Sequence, residues 1–317
     1  MIDTTRPWTV GLDVGGTKTH ALLLDGGGVV RAERRAPTQT GVAGVVEGSV
    51  HLAKELLADT GVAPAELAGV GLALPGVVDP VAGTCRNAVN LAIDEPVALA
   101  PLVSAGLGGV RVRLENDLNA AVLGAQHLLA AAGEPPSDDL AFLALGTGLA
   151  AGLLLDGRLR RGAHRGAGEI GHLTFVAGGA PCACGQRGCL EQYGSGSALD
   201  AAWPSRTGRP SPVEVFEAAA AGDPTAVAVR DEFARAVAAA VRVLVLTCDV
   251  GTVVIGGGVS QLGQPLLAAV VAELDRQAAA SSFLAGLDIP ARLRLAPAGV
   301  PAGAVGAALV GRTERNR

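Results

Sequence analysis

Four side chains in one short stretch have the makings of a metal site. His172 precedes Cys182, Cys184 and Cys189, and the string Cys182-Ala183-Cys184-Gly185-Gln186-Arg187-Gly188-Cys189 crowds three thiols together. Three thiolates and one imidazole fill the four positions of a tetrahedral zinc ion, and Gly185 and Gly188 let the loop fold around it. Buried or redox-active thiols are the plainer reading of a Cys-x-Cys pair, but they need neither the third cysteine nor the histidine. With every position filled by protein, a structural Zn²⁺ is expected, and its shell would hold the nearby carboxylates Glu169 and Glu191 in place. Cys85 and Cys248 read as small core or surface residues.

Three glycine runs suggest contact with a nucleotide. Asp13 leads into Gly15-Gly16-Thr17-Lys18, and Lys18 is one of only two lysines, with Lys54. A strand-end Asp beside such a turn can hold Mg²⁺ or its waters, while the turn's N–H groups, Thr17 and Lys18 meet phosphate oxygens. A second turn, Gly146-Thr147-Gly148, occupies the equivalent place in a second copy of the same pattern. Facing each other, the two would bracket a phosphate chain. The third run, Gly256-Gly257-Gly258, lies between a strand and a helix, where bare backbone would let a flat ligand such as adenosine lie close. A tight turn alone would explain one or two of those three glycines.

Asp117, in Glu115-Asn116-Asp117, is placed to accept the proton of a hydroxyl that attacks phosphorus. Its bland alternative is a helix N-cap, a role that either Asn116 or Asp117 can fill but that does not need both. In Gly168-Glu169-Ile170-Gly171-His172 a carboxylate and an imidazole stand three residues apart between glycines that permit close approach.

The elements that must position these groups follow from apolar periodicity. Strands are expected at Thr9–Val14 and Thr19–Leu24, joined as a hairpin, and at Val29–Arg35, Val70–Leu74 and Val110–Leu114. Helices are expected over Gly41–Thr60, capped by Gly61, and over Asn119–Ala132. The order makes the class α/β. Leu140–Leu145 and Leu149–Leu155 then repeat the first hairpin at an offset of 131 residues, with Asp13 matched by Ala144, so the carboxylate is not required by the hairpin itself. A repeat this long suits a duplicated domain, and two similar lobes with a cleft between them are expected. Residues 1–120 plus 300–317 would form a small lobe, and residues 121–299 a large one carrying the zinc loop 172–191. A strand at Thr252–Ile255 and a helix near Pro301–Val310 complete the pattern.

Composition removes several functional classes. In 317 residues, charged side chains are 17% against 49% hydrophobic and the net charge is -5, which indicates neither disorder nor a surface for polyanions. Nucleic acid and membrane are not expected partners. No secretory run opens the sequence, and a cytoplasmic protein is expected.

Taken in order, Asp13-Val-Gly-Gly-Thr-Lys18, Pro75-Gly76, Glu115-Asn-Asp117, Gly146-Thr-Gly148, Gly168-Glu-Ile-Gly-His172, the cysteine loop and Gly256-Gly-Gly-Val-Ser260 resemble the ROK family (repressors, open reading frames and kinases). The resemblance implies two actin-like (ribonuclease H-like) lobes with an interlobe cleft. It also implies an ATP- and Mg²⁺-dependent hexose kinase. Sugar contacts would come from Gly76, Asn116, Asp117, Glu169, His172 and Glu191, with Asp117 as base, His172 serving zinc and sugar together. Gly188-Cys-Leu-Glu-Gln-Tyr-Gly-Ser-Gly196 is similar to the family's bacterial glucokinases, which implies glucose; N-acetylmannosamine, N-acetylglucosamine, fructose or mannose are the alternatives. A homodimer or homotetramer is expected. The departures from the family pattern are Ala150-Ala151 after the second glycine turn, Leu118 after Asn116-Asp117 and Leu190 before Glu191; none removes a catalytic group. The family's DNA-binding regulators carry a helix-turn-helix ahead of the first glycine turn, where only twelve residues stand here, so a regulator is a lesser expectation.

Overall fold

The computed structural model describes residues 8–135 and 137–312. Among them, 8–135, 158–166 and 299–312 form one compact unit, and 137–157 and 167–298 another.

In the first unit, β1 (Trp8–Val14), β2 (Lys18–Leu24) and β3 (Val30–Pro37) form an antiparallel meander, followed by helix α1 (Gly41–Thr60) and strand β4 (Leu67–Leu74). A short hairpin of β5 (Val77–Asp79) and β6 (Thr84–Arg86), helix α2 (Leu99–Gly106), strand β7 (Val112–Asn116) and helix α3 (Asp117–Ala131) come next. The sheet order is β3-β2-β1-β4-β7, with β4 parallel to both β1 and β7. β4 is buried along its whole length, as a central parallel strand must be, and its run Leu-Ala-Gly-Val-Gly-Leu-Ala-Leu is correspondingly apolar without alternation. The edge strand β3 instead shows Arg31, Glu33, Arg34 and Arg35, charges that discourage pairing with another chain. α1 turns Val45, Ser49, Leu52, Ala53 and Leu56 inward at helical spacing and stops at Gly61, whose φ of 69° suits a C-terminal cap.

The C-terminal helix Ala302–Arg312 packs on this sheet and on α3. Contact is backbone to backbone: a β-carbon at Gly71 would overlap the carbonyl of Ala307, and one at Gly306 the carbonyl of Ala120. This close approach draws α3 into the first unit, which therefore runs beyond residue 120 to 135 and also takes residues 158–166. Periodicity shows that a helix exists but not which sheet it lies on, and hence the expected boundary differs.

In the second unit β8 (Leu140–Leu145) and β9 (Leu149–Leu155) form the second hairpin, Thr252–Gly256 adds to β8 in parallel, and Leu293–Leu295 adds in parallel to Thr252–Gly256. The helix Pro224–Cys248 covers this sheet with Phe233, Val237, Val241 and Leu244. Its start is fixed by Asp223, whose side chain accepts hydrogen bonds from the N–H groups of Thr225 and Ala226.

The duplication is thus real in topology, but its register slips. Val14 pairs with Thr19 in the first hairpin, whereas Leu145 pairs with Leu149 in the second. The Gly15–Lys18 turn is one residue longer than Gly146–Gly148, and turn length sets hairpin register. A gapless match at 131 residues therefore aligns β1 with β8 correctly and is displaced by one residue along β2 and β9. No described helix is long and apolar enough to cross a membrane.

Candidate functional site

In the first unit Asp13 is the penultimate residue of β1, opposite His20. Its carboxylate lies against the first turn of the C-terminal helix, since a β-carbon on Gly303 would come within 2.5 Å of Oδ2. A negative charge there suits the helix N-terminus. Burial nonetheless pushes the Asp13 carboxyl up to about 6, with Lys18 pulling the other way. A half-buried carboxylate whose charge is incompletely compensated fits a bound cation. The adjoining turn is closed by Gly15 N–H donating to the Lys18 carbonyl at 3.1 Å. Thr38 braces it, its hydroxyl donating to the Gly15 carbonyl at 2.7 Å and its N–H to the Thr17 carbonyl at 3.0 Å, while Thr17 and Lys18 remain exposed. Thr38 lies just past the end of β3, with nothing in its local sequence to mark it.

The junction of β7 and α3 decides between the two readings of Asn116 and Asp117. Asn116 is the cap: Oδ1 accepts from Leu118 N at 3.0 Å and Asn119 N at 3.2 Å. Its Nδ2 donates to the Gly76 carbonyl at 3.3 Å. Gly76 has φ 83°, and a β-carbon there would lie 2.7–2.9 Å from backbone atoms of Arg86, Asn87 and Ala88, so this position admits no side chain. Asp117, half-buried at the first helical position, accepts from Leu118 N at 2.9 Å. It lies near Cys85, whose thiol is pushed up to about 11 by burial and then by the Asp117 charge.

In the second unit Glu169 is exposed just before the turn Ile170–His172. Glu191 opens the short helix Glu191–Gly194 and its Oε2 accepts from Leu149 N at 3.1 Å. Gly171 permits this grouping, because a β-carbon there would overlap the Leu149 carbonyl and touch the Glu191 side chain at 3.4 Å. The turn itself is closed by Gly146 N–H donating to the Gly148 carbonyl at 3.0 Å, and Gly196 N–H donates to the Gly146 carbonyl at 2.7 Å. Of the third run, Gly256 is required by the Phe142 ring packed on it and Gly257 by its φ of 86°. Nothing lies within 4 Å of a β-carbon at Gly258, so the fold gives no reason for that glycine.

The cysteine loop closes as its spacing suggests. Ligand atoms of His172, Cys182, Cys184 and Cys189 all lie within 4.8 Å of one another. Cys184 Sγ is 3.6 Å from Cys189 Sγ, and Cys182 Sγ is 3.8 Å from His172 Nδ1. Zinc–sulfur bonds of about 2.3 Å in a tetrahedron give edges of about 3.8 Å, so the four groups fit the ion. The loop is shaped by Cys182 N–H donating to the Gln186 carbonyl at 2.9 Å and Gly185 N–H to the Cys182 carbonyl at 3.0 Å. Hydrogen bonds from the backbone and side chain of Gln186 hold the exposed Cys184 thiol down near 6, whereas burial pushes Cys189 up to about 12.

The structure thus joins Gly76, Asn116 and Asp117 within one unit, and His172, Glu191 and the second glycine turn within the other. Arg161, which pairs with Glu115 in the first unit, carries no sequence signal of its own.

The ROK family model matches residues 9–314. A glucokinase of Halalkalibacterium halodurans is 30% identical, covering 98% of this chain and 96% of its own. An N-acetylmannosamine kinase of Vibrio vulnificus is 31% identical over 84% of this chain and 87% of its own. The crystal structure of a ROK family glucokinase from Streptomyces griseus in complex with glucose and AMPPNP superposes with a TM-score of 0.77 at 31% identity, covering 96% of this chain and 99% of that one.

Proposed function

Because this chain belongs to the ROK family, we propose that it is an ATP-dependent hexose kinase that converts glucose to glucose 6-phosphate, with Asp117 as general base. The observation that carries this reading is the division of labour at the start of α3: Asn116 supplies the cap, so the helix does not need Asp117 for that purpose. Resemblance to glucokinases over nearly the full length supports the substrate.

In the proposed reaction the 6-hydroxyl of the hexose gives its proton to the Asp117 carboxylate as its oxygen bonds to the γ-phosphorus; the bond to the β,γ-bridging oxygen breaks and ADP leaves. Gly76, Asn116, Glu169, His172 and Glu191 hold the ring hydroxyls. Gly15, Gly16, Thr17, Lys18, Gly146, Thr147 and Gly148 meet the phosphates, and Gly256, Gly257 and Gly258 the adenosine. Asp13 would hold Mg²⁺, directly or through water, and that ion supplies neutralisation of phosphate charge. Zinc on His172, Cys182, Cys184 and Cys189 stiffens the loop that leads to Glu191.

Asp117→Asn tests the base. It keeps size and much of the hydrogen bonding but accepts no proton, so kcat should fall about 10²–10⁴-fold with hexose binding retained. A variant with more than a tenth of the wild-type rate would place the base elsewhere. The similarity to an N-acetylmannosamine kinase supports a second substrate reading on the same machinery.

A further inference from the structure

Glu115 is only 1% exposed, yet it carries a carboxylate at the end of β7, one residue before the cap of α3. Both of its oxygens are fully engaged. Oε1 accepts from Asn116 N at 3.1 Å and from Asn119 Nδ2 at 3.0 Å. Oε2 accepts from Arg161 Nε at 3.0 Å and Nη2 at 2.6 Å. Asn119 N is in turn held by Asn116 Oδ1, so Glu115, Asn116 and Asn119 form a closed ring of hydrogen bonds directly around the residue that precedes Asp117.

Arg161 comes from the segment 158–166, which packs with the first unit although both its flanks belong to the second. The same segment is fastened again by Arg165, which pairs with Asp79 at 3.5 Å and holds a left-handed backbone, φ 63°, unusual for a residue with a side chain. A buried ion pair is a poor way to gain stability, because desolvation offsets the attraction. What two-point guanidinium contact does provide is direction: it fixes the carboxylate plane and so aims Oε1 at Asn116 and Asn119.

We propose that Arg161 and Glu115 are positioning residues that orient the Asn116–Asp117 junction for proton transfer. The proposal rests on the kinase reading for its catalytic meaning, and on the hydrogen-bond ring for its structural one. Misplacing a reacting group by about 1 Å can cost roughly 10² in rate, so the effect belongs in kcat. Hexose KM should change little, since most sugar contacts lie outside the ring.

The test uses Arg161→Lys, which keeps the charge but loses the fork, and Arg161→Met, which loses both. The expected fall in kcat is about 10-fold for the first and about 100-fold for the second, with hexose KM within threefold of wild type. Amide hydrogen exchange in residues 112–120 should quicken at least tenfold in Arg161→Met and less in Arg161→Lys. Wild-type kcat in either folded variant, or a loss confined to KM, would overturn the proposal. Should Arg161→Met fail to fold, Arg161→Lys decides alone by the same criteria. If the wild-type protein phosphorylates no hexose, the kinase reading fails; the exchange measurement still decides the clamp, and unchanged protection would overturn it.

Discussion

Glu191 Oε2 accepts a hydrogen bond from the N–H of Leu149 at 3.1 Å, the first backbone amide beyond the Gly146-Thr147-Gly148 turn. One carboxylate expected to bind sugar thus also braces a turn expected to bind phosphate. Removing it should affect both substrates. Glu191→Gln keeps an oxygen for Leu149 and should raise hexose KM about tenfold with little change in the KM for ATP. Glu191→Ala should raise both, which initial rates with each substrate varied in turn would separate. An ATP KM unchanged in Glu191→Ala would break the link.

Asp13 gives a prediction about pH. Its carboxyl, raised to about 6 in the folded protein from an ordinary value near 3.8, favours the protonated form. The associated stability is present in full below about pH 4 and is lost as the pH rises through 6. Asp13→Asn removes that loss. In chelator, the variant should match wild type near pH 4 and exceed it above pH 7 by on the order of 1–2 kcal/mol, a few degrees in Tm, allowing for the partial exposure of the carboxylate. It should nevertheless be inactive with Mg-ATP. Melting curves from pH 4 to 8 test this, and a constant difference across the range would refute it.

The thiols of the cysteine loop should differ in reactivity once zinc is withdrawn. Cys184, exposed and held near 6, should alkylate first at pH 7, ahead of the buried Cys182 and Cys189. Intact protein should resist the reagent at all three positions and yield one zinc per chain on metal analysis. Cys184→Ser should lose both metal and stability, since structural zinc can contribute on the order of 10 kcal/mol to folding. Active protein without zinc would contradict the assignment.

How much of this was legible in the sequence depended on how local the cause was. The span of α1 and its Gly61 cap were readable, because apolar spacing and one glycine settle them. So were the two hairpins and the grouping of His172 with Cys182, Cys184 and Cys189. The choice of Asn116 over Asp117 as cap was not, since either side chain can accept those hydrogen bonds and the further contact that holds Asn116 in place, its Nδ2 donating to the Gly76 carbonyl, spans 40 positions. Thr38, the Leu149 contact to Glu191 and the Arg161 contact to Glu115 join residues 23, 42 and 46 positions apart, where no periodicity reaches. The register slip in the second hairpin was hidden because the gapless match, which sets Leu22-Leu23-Leu24-Asp25-Gly26 on the identical run Leu153-Leu154-Leu155-Asp156-Gly157, is the better one in sequence, while the pairing of the strands follows the shorter turn.

A panel of hexoses with Mg-ATP, read by coupled detection of ADP and by the position of the phosphate in the product, tests the central claim most directly. Hydroxyl pattern should dominate, because a site built to bond several hydroxyls leaves its own groups unsatisfied when one is missing, at a cost of up to about 10⁴ in kcat/KM. The account predicts glucose as the best substrate and glucose 6-phosphate as the product. Turnover of N-acetylmannosamine or fructose well above glucose would contradict the substrate while leaving the kinase; no turnover of any sugar would contradict both.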